Sequence, residues 1–271
     1  MELFKIKPAE ITEKLVEFLS NNLQNTGLSV FVVGLSGGLD SAVSATLAAK
    51  SVGADKVVAN IMPYKTSSKE NIEDAQEIAA SLGIRNNLID ISPMADSYFS
   101  RNDDMDNIRK GNFMARLRMA LLYDTAAKEN GLVLGTSNKT EALLGYGTIH
   151  GDAAWDVDPL WDLYKTQIRD LAGFLGVPQK IIDKAPTADL WEGQTDEGEL
   201  GFAYARIDRL LFLMVDLGYS SDKLESEGFK VNEIERAKQL IKRNQFKRSG
   251  PVSAQLFPQY IGCNFVAPAD W

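Results

Sequence analysis

One cysteine, Cys263, is all this 271-residue chain contains. That excludes an intrachain disulfide and any Cys-x-x-Cys site. No apolar run comes near the ~20 residues a membrane-spanning helix needs. The opening residues, Met1-Glu2-Leu3-Phe4-Lys5-Ile6-Lys7-Pro8, lack the apolar core of a signal peptide, so a cytoplasmic location without membrane attachment is expected. Positive charge is also in short supply: 29 Lys and Arg stand against 37 Asp and Glu, a net charge of −8. A phosphate backbone wants a basic surface, so nucleic acid is not the expected partner. The local basic clusters around Arg116-Leu117-Arg118 and Lys242-Arg243 to Lys247-Arg248 suit a small anionic ligand instead. No internal repeat is present. A 45% hydrophobic and 24% charged composition is that of an ordinary soluble globular protein, long enough for one large α/β core or two smaller ones.

What is present is a chain of strands alternating with helices. Residues 8 to 25 read as an amphipathic helix with Ile11, Leu15, Phe18 and Leu19 on one face. Apolar runs at 30–33, 56–63, 87–91 and 132–136 read as strands, and helices are expected over 69–82 and about 106–129. Nearly all-apolar strands separated by helices imply a Rossmann-like α/β fold, a parallel sheet with helices on both faces. Residues 185–201 have no period and much Gly and acid, which is the composition of a lid or of a disordered loop. Helical patterning returns over 203–246, so the carboxyl-terminal part is expected to be helical, and the last stretch reads as an irregular tail.

The most informative segment joins the first strand to the helix after it: Gly34-Leu35-Ser36-Gly37-Gly38-Leu39-Asp40-Ser41. A strand, a glycine turn and a helix N-terminus together make an anion site. Glycine lets the backbone approach a phosphate closely, and the helix dipole adds partial positive charge there. Ser36 and Ser41 offer further hydrogen bonds. Asp40 beside a phosphate would repel it, and a bridging Mg²⁺ removes that conflict. The sequence fails the G-x-x-x-x-G-K-[ST] loop, because Leu39-Asp40 stands where Gly-Lys belongs, and the glycine spacing fails the dinucleotide fingerprint. What remains, S-G-G-x-D-S after a strand, resembles the pyrophosphate loop of the N-type ATP pyrophosphatases.

Later blocks narrow the resemblance. Lys110-Gly111-Asn112-Phe113-Met114-Ala115-Arg116-Leu117-Arg118-Met119, Leu134-Gly135-Thr136-Ser137-Asn138-Lys139-Thr140-Glu141, Lys184-Ala185-Pro186-Thr187-Ala188-Asp189-Leu190 and Phe246-Lys247-Arg248-Ser249-Gly250-Pro251 follow in the order of the ammonia-dependent NAD synthetases. The chain resembles that family from about residue 30 to residue 256. The resemblance implies a ligase that converts deamido-NAD, ATP and ammonia to NAD, AMP and pyrophosphate. It also implies one synthetase domain over residues 1–271 and a homodimer with the dinucleotide at the subunit interface. The glutamine-dependent relatives carry a large upstream amidohydrolase domain for which this chain has no room, so free ammonia is the expected nitrogen donor.

Residue by residue, the resemblance places ATP on Gly34 through Ser41, Thr136, Lys165 and Thr187. It places Mg²⁺ on Asp40 and Glu141, and deamido-NAD on Arg116, Asp156 and Lys247. Asp40 and Lys165 are the expected catalytic groups, with Lys165 neutralising phosphate charge as pyrophosphate leaves. Read from the residues alone, Asn138-x-x-Glu141 is a helix-capping pair, a role that can coexist with metal binding. Arg116 and Arg118 point about 200° apart on a helix, so they cannot serve one site, and Arg118 is then expected to be structural. Two positions depart from the family: many members have Lys in the segment matching Ile149-His150 and His where Phe246 stands. Both changes remove polar contacts to the dinucleotide, and His150, the only histidine, sits beside the first. The loop alone also admits another amidating pyrophosphatase of the GMP-synthetase kind, or an ATP-binding protein without turnover.

Overall fold

The computed structural model describes residues 4–187, 191, 195–250, 254 and 256. After helix α1 (Pro8–Thr26) the chain alternates β1 (Val30–Gly34), α2 (Leu39–Val52), β2 (Val57–Ile61), α3 (Lys69–Leu82) and β3 (Arg85–Leu88). Then come α4 (Ser92–Phe99), α5 (Asn107–Glu129), β4 (Gly131–Leu134), α6 (Lys139–Leu144), α7 (Lys165–Leu175) and α8 (Gln179–Ile182). The remaining elements are all helical: α9 (Asp196–Leu200), α10 (Tyr204–Leu211), a π-helical turn Phe212–Asp216, α11 (Ser221–Ser226), α12 (Val231–Arg243) and α13 (Gln245–Arg248).

The strands form one parallel sheet in the order β3-β2-β1-β4. The chain steps from β1 outward to β3 and then returns to the other side of β1 for β4. The order therefore reverses between β1 and β4, and the carboxyl ends of those two strands open onto a crevice at the switch point. Val30–Val33 of β1 and all of β2 are buried, as largely apolar parallel strands must be, and the one polar residue, Asn60, donates to Thr125 Oγ1 at 2.8 Å. α1, α2 and α7 pack on one face around Leu19, Phe31, Leu47 and Ile168, and α5 covers the other through Leu122 and Ala126. A second apolar cluster joins Leu144 and Tyr164 to Tyr204, Ile207, Leu224 and Ile234, and it holds the carboxyl-terminal helices against α6.

Three local expectations shift. The third strand lies at Arg85–Leu88, not 87–91, and all four of its residues are exposed. It is a polar sheet edge, and the apolar Ile89 and Ile91 follow it, their amides donating to the Ile61 and Pro63 carbonyls at 2.8 and 3.0 Å. Phe18 of α1 is 41% exposed, while Leu19 takes the buried position. Within 185–201, Asp196–Leu200 is helical. The rest of the expected lid includes 188–190 and 192–194, and the expected tail includes Cys263; both fall outside the described residues. Among the described residues no helix is long and apolar enough to cross a membrane.

Candidate active site

The crevice at the switch point is a cavity of about 310 Å³ lined by Gly34–Ser36 and Gly38–Ser41 after β1, Thr136 after β4, Lys165 of α7 and Thr187. Gly37 is the one loop residue that does not line it. Its φ of +79° is left-handed, and a Cβ there would meet the Asn71 carbonyl oxygen at 2.2 Å, so only glycine lets the turn lie against α3. Gly38, the N-cap of α2, has ordinary extended dihedrals and offers no capping side chain, so the first-turn N–H groups are left to an incoming anion. The two serine hydroxyls brace the turn: Ser41 Oγ donates to the Gly38 carbonyl at 3.0 Å, and Ser36 Oγ accepts from the Gly38 N–H at 3.2 Å.

Asp40 starts the helix after β1 and Glu141 the helix after β4, so the topology sets two carboxylates across the crevice. Between them lies Lys165 at the N-terminus of α7. Its buried ammonium contacts Asp40 Oδ2 directly and stands 3.8 Å from Glu141 Oε1. Burial alone would lower the Lys165 pKa; the Asp40 and Glu141 charges more than offset that and hold it above the usual lysine value. Burial, then the neighbouring Asp40 charge, pushes Glu141 well above the usual carboxylate range against the pull of Lys165. Glu141 also completes a capping box, its carboxylate accepting from Asn138 N–H at 3.2 Å while its own N–H donates to Asn138 Oδ1 at 2.9 Å. The cap and the seat facing Asp40 therefore coexist.

Asp208 holds this arrangement from behind. It is fully buried, accepting from Thr140 Oγ1 at 2.6 Å and from both the N–H and the hydroxyl of Thr166 at 2.8 Å, so it ties α6 to the start of α7. Asp196 closes one side: its carboxylate accepts from the Tyr146 and Tyr204 hydroxyls at 2.9 and 3.2 Å, and its burial raises its pKa.

A divalent cation is testable against these residues. Asp40 Oδ1 is buried with no hydrogen-bond partner, a carboxylate oxygen that lacks only a cation. Hard oxygens on both sides of one cationic position fit Mg²⁺. Among the described residues no group of three or more His, Cys, Asp and Glu is placed to hold a metal. Two carboxylates would make only part of a coordination shell, as suits an ion that arrives on phosphates.

The expected dinucleotide contacts lie elsewhere. Arg116, Asp156 and Lys247 do not line the cavity. Arg116 Nε donates to the Ile149 carbonyl at 3.3 Å, and Lys247 Nζ donates to the Gly145 and Gly147 carbonyls at 2.8 and 2.7 Å, so both secure the 145–149 loop. Asp156 instead accepts from Val133 N–H at 2.8 Å and Tyr123 OH at 3.2 Å. His150 is exposed in a left-handed turn at φ 58°, and Phe246 is exposed. Arg118, read from the sequence as structural, lines the cavity and donates from Nε to the Met62 carbonyl at 2.9 Å. Asp196, Arg169 and Asp208 were also missed. They sit on helices α7, α9 and α10, far apart in sequence, and no local spacing marks them.

The family model for NAD synthase matches residues 11–251. The NH(3)-dependent NAD(+) synthetase of Chlorobaculum parvum is 48% identical over 257 residues, covering 95% of this chain and 93% of that one. Among solved structures, the NMN synthetase of Francisella tularensis superposes with a TM-score of 0.82 at 37% identity, over 93% of this chain and all of the other. The NH3-dependent NAD synthetase of Campylobacter jejuni gives 0.80 at 34% identity, over 92% of this chain and all of the other.

Proposed function

The chain belongs to the NAD synthase family, and from that premise we propose that the crevice between β1 and β4 activates a nicotinate carboxylate with ATP so that ammonia can replace it with an amide. The protein is a ligase: deamido-NAD, ATP and ammonia give NAD, AMP and pyrophosphate. The observation that carries the reading is the pairing of the S-G-G-x-D-S turn with Lys165 and the two facing carboxylates in one cavity.

Carboxylate and triphosphate are both anionic, so the site must hold them together against repulsion. The free N–H groups of α2 and the dipole behind them receive the triphosphate. Lys165 supplies a buried cation, which is worth most where charge develops on the leaving pyrophosphate. Mg²⁺, seated on Asp40 and Glu141, would neutralise phosphate charge and orient the α-phosphorus. The nicotinate oxygen forms a bond to that phosphorus as the bond to the β-bridging oxygen breaks. The resulting acyl-adenylate is attacked at carbon by ammonia, and AMP departs. No side-chain nucleophile is required. The burial of Asp196 and Lys165 favours exclusion of water from the mixed anhydride.

Arg116, Asp156 and Lys247 are the proposed contacts to deamido-NAD. Their position outside the ATP cavity favours a dinucleotide seat completed by a second copy of the chain, in a cytoplasmic homodimer. The test is pyrophosphate release from ATP and ammonia with deamido-NAD, XMP or tRNA supplied in turn. Release only with deamido-NAD is expected, and release with XMP alone would sink the reading. The mononucleotide acid belongs in the same series. The Francisella relative is named for the amide of that acid, and Ile149 and Phe246 offer the dinucleotide no side-chain polar contact.

A further inference from the structure

Lys165 and Arg169 stand four residues apart on α7, so their side chains leave the same helix face one turn apart. Both line the ATP cavity, together with Arg118 and Lys184. Three of these four cations are engaged. Lys165 bridges Asp40 and Glu141, Lys184 pairs with the buried Asp74, and Arg118 donates to the Met62 carbonyl. Arg169 differs from all of them: among the described residues its guanidinium makes no hydrogen bond and no ion pair, and its Nε is buried without an acceptor. A buried donor left unpaired costs folding free energy, and here the loss is recovered only when an acceptor enters the cavity.

The charge on the cavity wall says what that acceptor is. Asp40, Glu141 and Asp196 face Lys165, so the ammonium is already neutralised and the wall does not attract a polyanion by itself. A guanidinium without a counter-charge does. Its planar fork presents parallel donors that match two oxygens of one phosphate, which an ammonium cannot do. Arg169 lies one turn further along α7 than Lys165, and Ile181, Lys184 and Pro186 line the same cavity.

We propose that Arg169 is a substrate-binding residue that grips the β,γ end of ATP and then holds the departing pyrophosphate. This rests on the reading that the cavity splits ATP between its α and β phosphates. It adds a contact to the leaving group that the turn, Lys165 and the carboxylate pair do not provide. Release of pyrophosphate then requires breaking a bidentate pair, so Arg169 also governs inhibition by that product.

The experiment is titration of the nucleotide-free protein with pyrophosphate and, separately, with AMP by calorimetry, for wild type, Arg169→Met and Arg169→Lys. Methionine keeps the length and apolar stem and removes the donors; lysine restores a point charge if the methionine variant folds poorly. Arg169→Met is expected to weaken pyrophosphate at least tenfold, to raise the KM for ATP and to leave AMP within twofold. Arg169→Lys should recover part of the loss. Pyrophosphate affinity in Arg169→Met within twofold of wild type would overturn the role of Arg169 while leaving the ATP-splitting reading intact. Equal weakening of pyrophosphate and AMP would overturn it too, as a packing effect. Wild-type protein that binds no pyrophosphate would overturn both.

Discussion

The Lys165 ammonium sits where a cation shared by Asp40 and Glu141 belongs, in direct contact with one carboxylate and 3.8 Å from the other. Asp40 Oδ1 has no hydrogen-bond partner, so the pair is not saturated. A metal ion bound there would compete with the ammonium for the same two carboxylates, and an ion that wins would leave the ammonium free for phosphate. In Lys165→Met the competitor is gone. That variant should bind Mn²⁺ without nucleotide at least tenfold tighter than wild type, about 1.4 kcal/mol, while its turnover falls. Electron paramagnetic resonance of free Mn²⁺ measures the affinity, and equal affinities would remove the competition.

Asp40→Asn keeps the shape of the side chain and removes its charge. Divalent-dependent turnover should fall by about 10² to 10³, the usual loss for one preorganised electrostatic group. The far-ultraviolet circular dichroism should be unchanged. An active variant would take Asp40 out of the metal site.

Adjacent glycines in the phosphate turn should behave differently. Gly37→Ala faces a left-handed φ and the Asn71 carbonyl oxygen 2.2 Å from the new Cβ. It should lose on the order of 2 kcal/mol or more of stability. Gly38→Ala meets only Ser36 Oγ, at 3.3 Å, with ordinary dihedrals, and should cost less than about 1 kcal/mol. Urea unfolding of the two variants decides it, and equal losses would contradict this account of the turn.

The strands, the helices flanking the phosphate turn and the position of Asp40 in that turn were legible because their signals are local, whereas Lys165 and the second role of Glu141 came only from the family resemblance. Apolar runs mark β1, β2 and β4, and the glycine-serine turn declares an anion site. β3 was displaced because Arg85–Leu88 is a polar edge, and the apolar residues that mimic a strand come just after it. Arg116 and Arg118 were correctly set on opposite helix faces, yet only the packing of α5 against β1 and β4 decides which one meets the cavity. Asp196, Asp208 and Arg169 depend on helices α7, α9 and α10 meeting at one place. No spacing in the chain encodes that meeting.

Stability should carry a pH signature from Asp158. Burial pushes its carboxyl up to about 7, though it accepts from Leu160 N–H at 2.8 Å and Ser137 N–H at 3.0 Å. Its folded value is raised, so its contribution is complete below the unfolded value near 3.8 and is lost as pH rises through about 7. Relative to Asp158→Asn, wild type should lose roughly 1.4 kcal/mol per unit of pH across that window, measured by urea unfolding at pH 4.5, 6 and 7.5. Parallel profiles for the two proteins would refute the assignment.

The central claim is that a nicotinate oxygen attacks the α-phosphorus of ATP in this crevice. Deamido-NAD labelled with ¹⁸O in its carboxylate tests it directly. Turnover with ATP and ammonia should place one label in AMP and none in pyrophosphate, as mass spectrometry of the two products will read. Label in pyrophosphate, or AMP that carries none, would contradict the account.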